Sequence, residues 1–485
     1  MKSKEAMYQR LTTPTVFVIF GMTGDLSENK LLPALFDVFA KRLLPEKFRV
    51  VGFSRRELSE KDMAALLQSA VQKKFHRHTK RDVARFAERL SYIQGDFGDN
   101  NSYRALVDHL KSIDDGFAQC SNKLFYLAVS PVHYATIFRQ LAASGLTKPC
   151  GGEFGWTRVL VEKPFGRDTK TAKQLDTLLS RLFKEEQIFR IDHYLEKEMI
   201  QNIVTFRFAN AMFEPVWNRE YIDRVEIRLL EKEGIAGRGE FYDALGALRD
   251  VGENHLLQML ALITMETPDA FDSAHIRSGR AKALQSLRIV TSDMMKKHAV
   301  RAQYAGYQQE PGVKKNSQTE TYFRLIAHLS SPRWRGVPFL LESGKCLNER
   351  RAEISVVFKG APLCTGLSQS PCQYTNILRF HIQPNEGISV CFWTKSPGFK
   401  NGVEERELSF EYQPMDDPHA KADPYQKLLF DAMHGDQTSF ASSEEVAAAW
   451  KFITPIVKKW KTLPLYRYKK GSRAEDIGAM KTWKH

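Results

Sequence analysis

A chain of 485 residues exceeds what a single hydrophobic core usually organises, so two or three domains are expected. Its 43% hydrophobic and 26% charged content is that of a globular protein with a large core, which excludes a disordered or low-complexity chain. The formal charge of +14, from 71 basic and 57 acidic residues, favours anionic partners such as phosphorylated metabolites, nucleic acid or phospholipid surfaces. The densest basic run, Lys73 to Arg81, carries a single aromatic and reads as a solvated helix face, so no nucleic-acid partner is expected. The longest apolar runs have strand length, which argues against a membrane span, and the N-terminus lacks a signal-peptide core. Six cysteines without a CxxC or a neighbouring His pair predict reduced thiols in a cytoplasmic protein, with no disulfide frame and no metal.

In chain order, the first third alternates β-rich runs with amphipathic stretches. Thr15–Gly21, Phe48–Ser54, Leu90–Phe97, Lys123–Pro131 and Thr157–Phe165 read as strands, and a helix carrying Leu31, Leu35, Val38 and Phe39 follows the first. This alternation predicts a parallel sheet covered on both faces, an α/β Rossmann-like dinucleotide-binding domain over residues 1–195. From about Thr205 the texture changes to strands with alternation, among them Arg224–Lys232, Thr321–Leu329, Arg351–Lys359, Asn376–Pro384, Ile388–Lys395 and Glu405–Gln413. Two long helical patterns, Ala244–Met265 and Glu445–Thr462, accompany them. Residues 196–485 therefore read as an α+β domain with a large, mostly antiparallel sheet.

The first strand runs into "GMTGDL", Gly21, Met22, Thr23, Gly24, Asp25 and Leu26. Glycines there let backbone approach a phosphate, and the helix beyond offers free N–H groups and a positive dipole end. The spacing falls short of G-x-G-x-x-G, so the ligand is a dinucleotide or a mononucleotide. The second strand ends in Arg55 and Arg56 rather than an acid, which suits a ribose 2′-phosphate and favours NADP over NAD. "VEKPFG" closes the fifth strand, and a lysine at that carboxyl end, Lys163, points at cofactor or substrate or marks a plain turn. In "RIDHYLEKEMIQNI", a helix start would place His193 and Lys197 on one side with Tyr194 beside them, a phosphate clamp, leaving Asp192 to pair elsewhere. His255, in "RDVGENHLLQML", would share an α-helical face with Leu248, Val251, Met259 and Leu262. That is the setting of a core histidine, or of a general base oriented by a carboxylate. Asp250 and Glu231 are candidates for sugar hydroxyls; Lys345 and Arg350 are cationic enough for a phosphate.

The motifs "GMTGDL", "VEKPFGRD", "RIDHYLEKEMIQNI", "FANAMFEPVWNR", "RDVGENHLLQML", "GVPFLLESGKCLNER" and "QPNEGI" occur in the order seen in glucose-6-phosphate dehydrogenases, and the chain resembles that family from about residue 15 to about residue 470. The resemblance implies oxidation of glucose 6-phosphate at C1 with hydride passed to NADP, the first step of the oxidative pentose phosphate pathway. By motif it implies His255 as base with Asp192 as its partner, and Lys163, His193, Tyr194 and Lys197 on the substrate, chiefly its phosphate. Glu231, Asp250, Lys345, Arg350 and Gln383 complete the sugar site, while Lys30, Arg55, Asp96, Phe97, Tyr134 and Lys163 join the Gly21–Leu26 turn around the dinucleotide. It further implies a homodimer or homotetramer assembled through the large sheet. Two departures stand out. Glu28 falls near the cofactor phosphates, and Gly252 with Glu253 would loosen the turn before His255. The alternatives are a related dehydrogenase with another sugar or with NAD, or a non-catalytic paralogue that binds NADP or sugar phosphate.

Overall fold

The computed structural model describes residues 11–72, 80–150, 155–235, 237–360, 374–399, 403–412 and 422–478. The chain divides into two compact units. The first comprises residues up to Phe165, Lys173–Glu196 and a returning segment that ends at Ser443; the second comprises Gly166–Ala172, residues from Lys197 to the returning segment, and those from Glu444 on.

In the first unit the strands are β1 (Thr15–Phe20), β2 (Phe48–Ser54), β3 (Leu90–Gln94), β4 (Asn122–Leu127), β5 (Thr157–Val161) and β6 (Ile188–Ile191). All pair in parallel, in the order β3-β2-β1-β4-β5-β6. β1 and β4 are buried along their whole length, which is why they read as continuous rather than alternating apolar runs. The order reverses between β1 and β4, and in such sheets that crevice at the carboxyl ends is where a ligand sits. The helices here are α1 (Leu32–Ala40), α2 (Glu60–Gln72), α3 (Lys80–Ala87), α4 (Asn100–Phe117) and α5 (Tyr134–Ala143), with α6 (Thr169–Leu182) after β5. Pro33, which has no N–H to donate, lies where the π-wound turn Ser27–Leu31 passes into α1.

The returning segment carries α12 (Pro424–His434) and β15 (Phe440–Ala441). Asp423 caps α12 by accepting the Tyr425 N–H at 3.0 Å. α12 packs on α1, and β15 adds antiparallel to β6, with Phe440 edge-on to Phe189 at 4.8 Å. The Arg158 guanidinium, stacked on Trp156, donates to the Ala432 and Met433 carbonyls at 2.7 and 2.6 Å and so satisfies the end of α12. The cysteine expectation needs correcting in this unit: Cys120 and Cys150 form a disulfide. Both lie in loops flanking the sheet, a proximity that sequence spacing does not reveal. Cys346 and Cys391 are buried free thiols; Cys364 and Cys372 lie outside the described residues.

Among the described residues the second unit is built on nine strands: β7 (Ile222–Leu230), β8 (Ala299–Tyr304), β9 (Tyr322–His328), β10 (Pro338–Gly344), β11 (Arg351–Phe358), β12 (Ile377–Gln383), β13 (Gly387–Lys395), β14 (Val403–Glu411) and β16 (Leu465–Tyr468). Their order is β14-β13-β12-β11-β7-β10-β9-β8-β16, antiparallel except for β7 with β10 and β8 with β16. The helices are α7 (Glu198–Ala209), α8 (Gly239–Leu245), α9 (Leu257–Thr264), α10 (Ser273–Gln285), α11 (Ser292–His298) and α13 (Ser443–Lys459). The Trp217 and Trp334 indoles donate to the Ile263 and Thr264 carbonyls at 2.8 and 2.9 Å, satisfying the buried end of α9. The segment expected as one helix from Ala244 to Met265 is instead broken at Gly246 and π-wound from Leu248 to Leu256 before α9 begins. No helix among the described residues is long and apolar enough to cross a membrane.

Candidate active site

The turn after β1 is built for close approach. Gly21 has φ +80°, and a Cβ on it would strike the Ala128 carbonyl that follows β4. Its N–H donates to Phe53 at 2.8 Å, while its carbonyl accepts from Gly24 N–H at 2.9 Å and the Ser27 hydroxyl at 3.0 Å. Winding begins at Asp25 and is π-type over Ser27–Leu31. Thr23 and Gly24 are half-buried at the helix entrance, which is a cradle an anion fits. The Met22 side chain is fully buried in the core and Leu26 packs against that core, so only their backbone groups face the cradle's chemistry. The Asp25 carboxylate accepts from the Asn29 amide at 2.6 Å; Glu28 is half-buried in the first turn and Lys30 is exposed. Arg55 and Arg56 are exposed just past β2. Asp96 is exposed and accepts the Gly98 N–H at 2.8 Å, whereas Phe97 is buried among Phe20, Phe53 and the His133 ring. Tyr134 is also buried, its hydroxyl engaged by the Glu162 carbonyl at 2.9 Å.

β5 ends at Val161, and Glu162 and Lys163 follow, both half-buried, ahead of a cis Lys163–Pro164 bond. The Tyr126 hydroxyl donates to Glu162 Oε1 at 2.5 Å. After β6 the chain does not enter a helix at once. Residues 193–196 form a turn, and α7 starts only at Glu198 with Lys197 as its N-cap. His193 and Lys197 therefore do not share a helical face, contrary to the expected i, i+4 clamp. The cause is Asp192: its Oδ1 accepts the Tyr194 N–H at 3.0 Å and its carbonyl accepts the Leu195 N–H at 2.9 Å, closing an Asx-type turn. Asp192 is 2% exposed. Tyr194 is buried with its ring centroid 5.2 Å from that of His193, and Lys197 is half-buried.

In the second unit, β7 and β10 run parallel, so the residues leaving them emerge at the same end. These are Glu231 and Lys345, whose ion pair closes at 2.5 Å. Lys345 is 4% exposed, and its ammonium lies 5.6 Å from the centre of the Tyr242 ring. The Tyr242 hydroxyl is buried near Asp250 and Glu231; burial first, then these charges, pushes it well above the ordinary phenol range. The π-wound segment packs on β7 and β10 and carries half-buried Asp250 and fully buried His255. π-winding is uncommon and recurs at functional sites. It also alters the phase: Leu248, Val251, Met259 and Leu262 are all buried, but the single α-helical face expected for them and His255 is not formed. Nor is the turn loosened by Gly252, since a Cβ there would lie 2.9 Å from the Phe323 ring; the glycine allows tight packing. Glu253 is buried beside it. The His255 N–H donates to Asn254 Oδ1 at 2.7 Å, and the Asn254 amide donates back to Asp250 at 3.1 Å. Gln383 ends β12 opposite Ala352, half-buried, and Arg350 is exposed.

Residue reading alone passed over Glu162, Tyr126, Tyr242 and Tyr425. Glu162 stood inside the quoted "VEKPFG", but a phenol donated from another strand leaves no local signal.

Two family models match. Residues 18–202 match "Glucose-6-phosphate dehydrogenase, NAD binding domain", and residues 204–481 match "Glucose-6-phosphate dehydrogenase, C-terminal domain". The chain is 37% identical over 476 residues to a glucose-6-phosphate 1-dehydrogenase of Borreliella burgdorferi, covering 96% of each chain. It is 40% identical to that of Aggregatibacter actinomycetemcomitans, covering 94% of this chain and 93% of the relative. A solved glucose-6-phosphate dehydrogenase in complex with its substrate glucose 6-phosphate superposes with a TM-score of 0.87 at 31% identity, covering 97% of both chains. The Rossmann-type strand order, the glycine cradle and the parallel-strand Glu231–Lys345 pair thus occur in a chain that belongs to the glucose-6-phosphate dehydrogenase family.

Proposed function

We propose that the chain oxidises glucose 6-phosphate at C1 to the 6-phosphogluconolactone, with NADP as hydride acceptor, and so opens the oxidative pentose phosphate pathway. The observation that carries this reading is the π-wound segment. It holds Asp250 and a buried imidazole, His255, and packs on the two parallel strands that deliver Glu231 and Lys345. His255 accepts the C1 hydroxyl proton, and Asp192 orients the ring and stabilises the imidazolium. Lys163, His193, Tyr194 and Lys197 hold the 6-phosphate, a group remote from the reacting carbon whose binding energy aligns the sugar. Glu231, Asp250, Lys345, Arg350 and Gln383 hold the remaining substrate groups. NADP bound at the Gly21–Leu26 cradle, with Lys30, Asp96, Phe97, Tyr134 and Lys163 about it, supplies the nicotinamide that takes the hydride. Exposed Arg55 supports NADP over NAD.

Residues 1–195 serve as the dinucleotide-binding part and 196–485 as the substrate and assembly part, a division supported by the two matched models. Assembly as a homodimer or homotetramer is supported by the outer strand β14, which leaves Leu408 and Phe410 65% and 58% exposed. The proposed cofactor and phosphorylated substrate support a cytoplasmic location; the Cys120–Cys150 bridge is the observation against it, and thiol titration of freshly lysed cells tests it. The activity is tested by steady-state rates with glucose 6-phosphate, galactose 6-phosphate and glucose, each with NADP and NAD. Highest kcat/KM for glucose 6-phosphate with NADP is expected. A preference for unphosphorylated glucose would overturn the assignment.

A further inference from the structure

We propose that Glu162, gripped by the Tyr126 and Tyr425 phenols, is a positioning residue whose ionised carboxylate sets the placement of Lys163 toward the substrate. This deepens the reading of Lys163 as a substrate residue and rests on it. Glu162 and Lys163 are consecutive at the exit of β5, so whatever fixes one fixes the backbone of the other. Three elements do so. From β4, the Tyr126 hydroxyl donates to Glu162 Oε1 at 2.5 Å. From α5, the Tyr134 hydroxyl donates to the Glu162 carbonyl at 2.9 Å. From α12, the Tyr425 phenol lies beside the Glu162 carboxylate and favours its charged form. This last contact gives the returning segment a chemical reason to rejoin the first unit: it brings a phenol to a strand end some 260 positions earlier in the chain.

The groups around the carboxylate are Tyr126, Tyr134 and Tyr425, the neighbouring Lys163, and Asp192 beyond β6. Although the residue is half-buried overall, its carboxylate lies among these rings. Burial, and to a lesser degree Asp192, outweigh the two phenols and Lys163 and push it up to about 7. When ionised it accepts from Tyr126 and favours a phenol donor at its other oxygen; when protonated it loses its charge and one oxygen becomes a donor, so the grip weakens. Lys163 is then best placed above neutrality.

The test is the pH dependence of kcat/KM for glucose 6-phosphate in the wild type, Glu162→Gln, Tyr425→Phe and Lys163→Gln, with thermal stability measured alongside. Titration of the substrate phosphate is common to all four and cancels in the comparison. Glu162→Gln keeps an acceptor for the phenols but cannot ionise. It is expected to lose the limb near neutrality and to fall about tenfold at alkaline pH, chiefly in KM for the sugar phosphate. Tyr425→Phe, which removes one phenol, should move that limb up by about half a pH unit. A profile of unchanged shape in both variants, merely lowered in step with Tm, would overturn the proposal and leave Glu162 a structural residue. If Glu162→Gln does not fold, the limb in Tyr425→Phe decides alone. If Lys163→Gln leaves KM for glucose 6-phosphate unchanged, the reading of Lys163 itself fails, whatever the other variants do.

Discussion

Replacing Gly246 by alanine should unfasten the segment that carries Asp250 and His255. Gly246 sits at φ +78°, ψ 169°, a region that residues with a side chain hardly visit, at a cost of about 1–3 kcal/mol. An alanine Cβ would also lie 2.5 Å from Glu320 Oε1 and 2.8 Å from its carboxyl carbon. Glu320 has little room to withdraw: it is 5% exposed, its Oε1 accepts the Leu248 N–H at 3.2 Å and its carbonyl accepts the Ala247 N–H at 3.1 Å. Moving it strands a buried donor at the entrance of the π-wound segment, about 1–3 kcal/mol more. The gain from alanine's lower unfolded-state entropy, about 0.4–1 kcal/mol, does not offset these costs. A net loss of about 3 kcal/mol is expected, measured by urea denaturation, with faster amide exchange confined at first to residues 247–264. Because His255 rides on the same segment, kcat should fall as well. A change below about 0.5 kcal/mol with unaltered exchange would refute the claim that this glycine anchors the π-wound segment.

Other outcomes follow from individual groups. Glu342 is buried, which raises its pKa, but Arg324 and Arg228 outweigh burial and hold it below the usual carboxylate range. Its stabilising contribution is therefore full above about pH 4.5 and lost as pH falls below that through the depressed folded-state value. Urea midpoints from about pH 6 to about pH 3 should decline in that window, and less steeply in Arg324→Met. Arg55→Asp should narrow the preference for NADP over NAD by about 10–100-fold in kcat/KM, leaving KM for the sugar phosphate nearly unchanged; an unaltered ratio would place the 2′-phosphate elsewhere.

What could be read from residues alone depended on how local the cause was. β1 and β4, buried on both faces, announced themselves as uninterrupted apolar runs, and β14 showed its alternation even though it is largely exposed. β10 was not among the expected strands; it holds Glu342 in the core, where Arg228 and Arg324 neutralise it from β7 and β9. The clamp sequence His193–Lys197 has good helix formers, and one Asp192 side-chain bond to the Tyr194 N–H was enough to make it a turn. The π-winding at His255 and the return of residues 422–443 to the first unit are tertiary outcomes with no periodic signal. The disulfide falls in the same class, since residues 120 and 150 become neighbours only once the sheet has formed.

The most direct measurement is of His255→Asn: turnover of glucose 6-phosphate with NADP, beside equilibrium binding of each ligand. The amide keeps much of the imidazole's volume but cannot take a proton. A base in the reaction requires kcat to fall by about 10²–10⁴-fold while both dissociation constants stay within about threefold. Turnover within about tenfold of the wild type, with binding intact, would mean that the C1 proton leaves by another route and that this histidine is only a core residue.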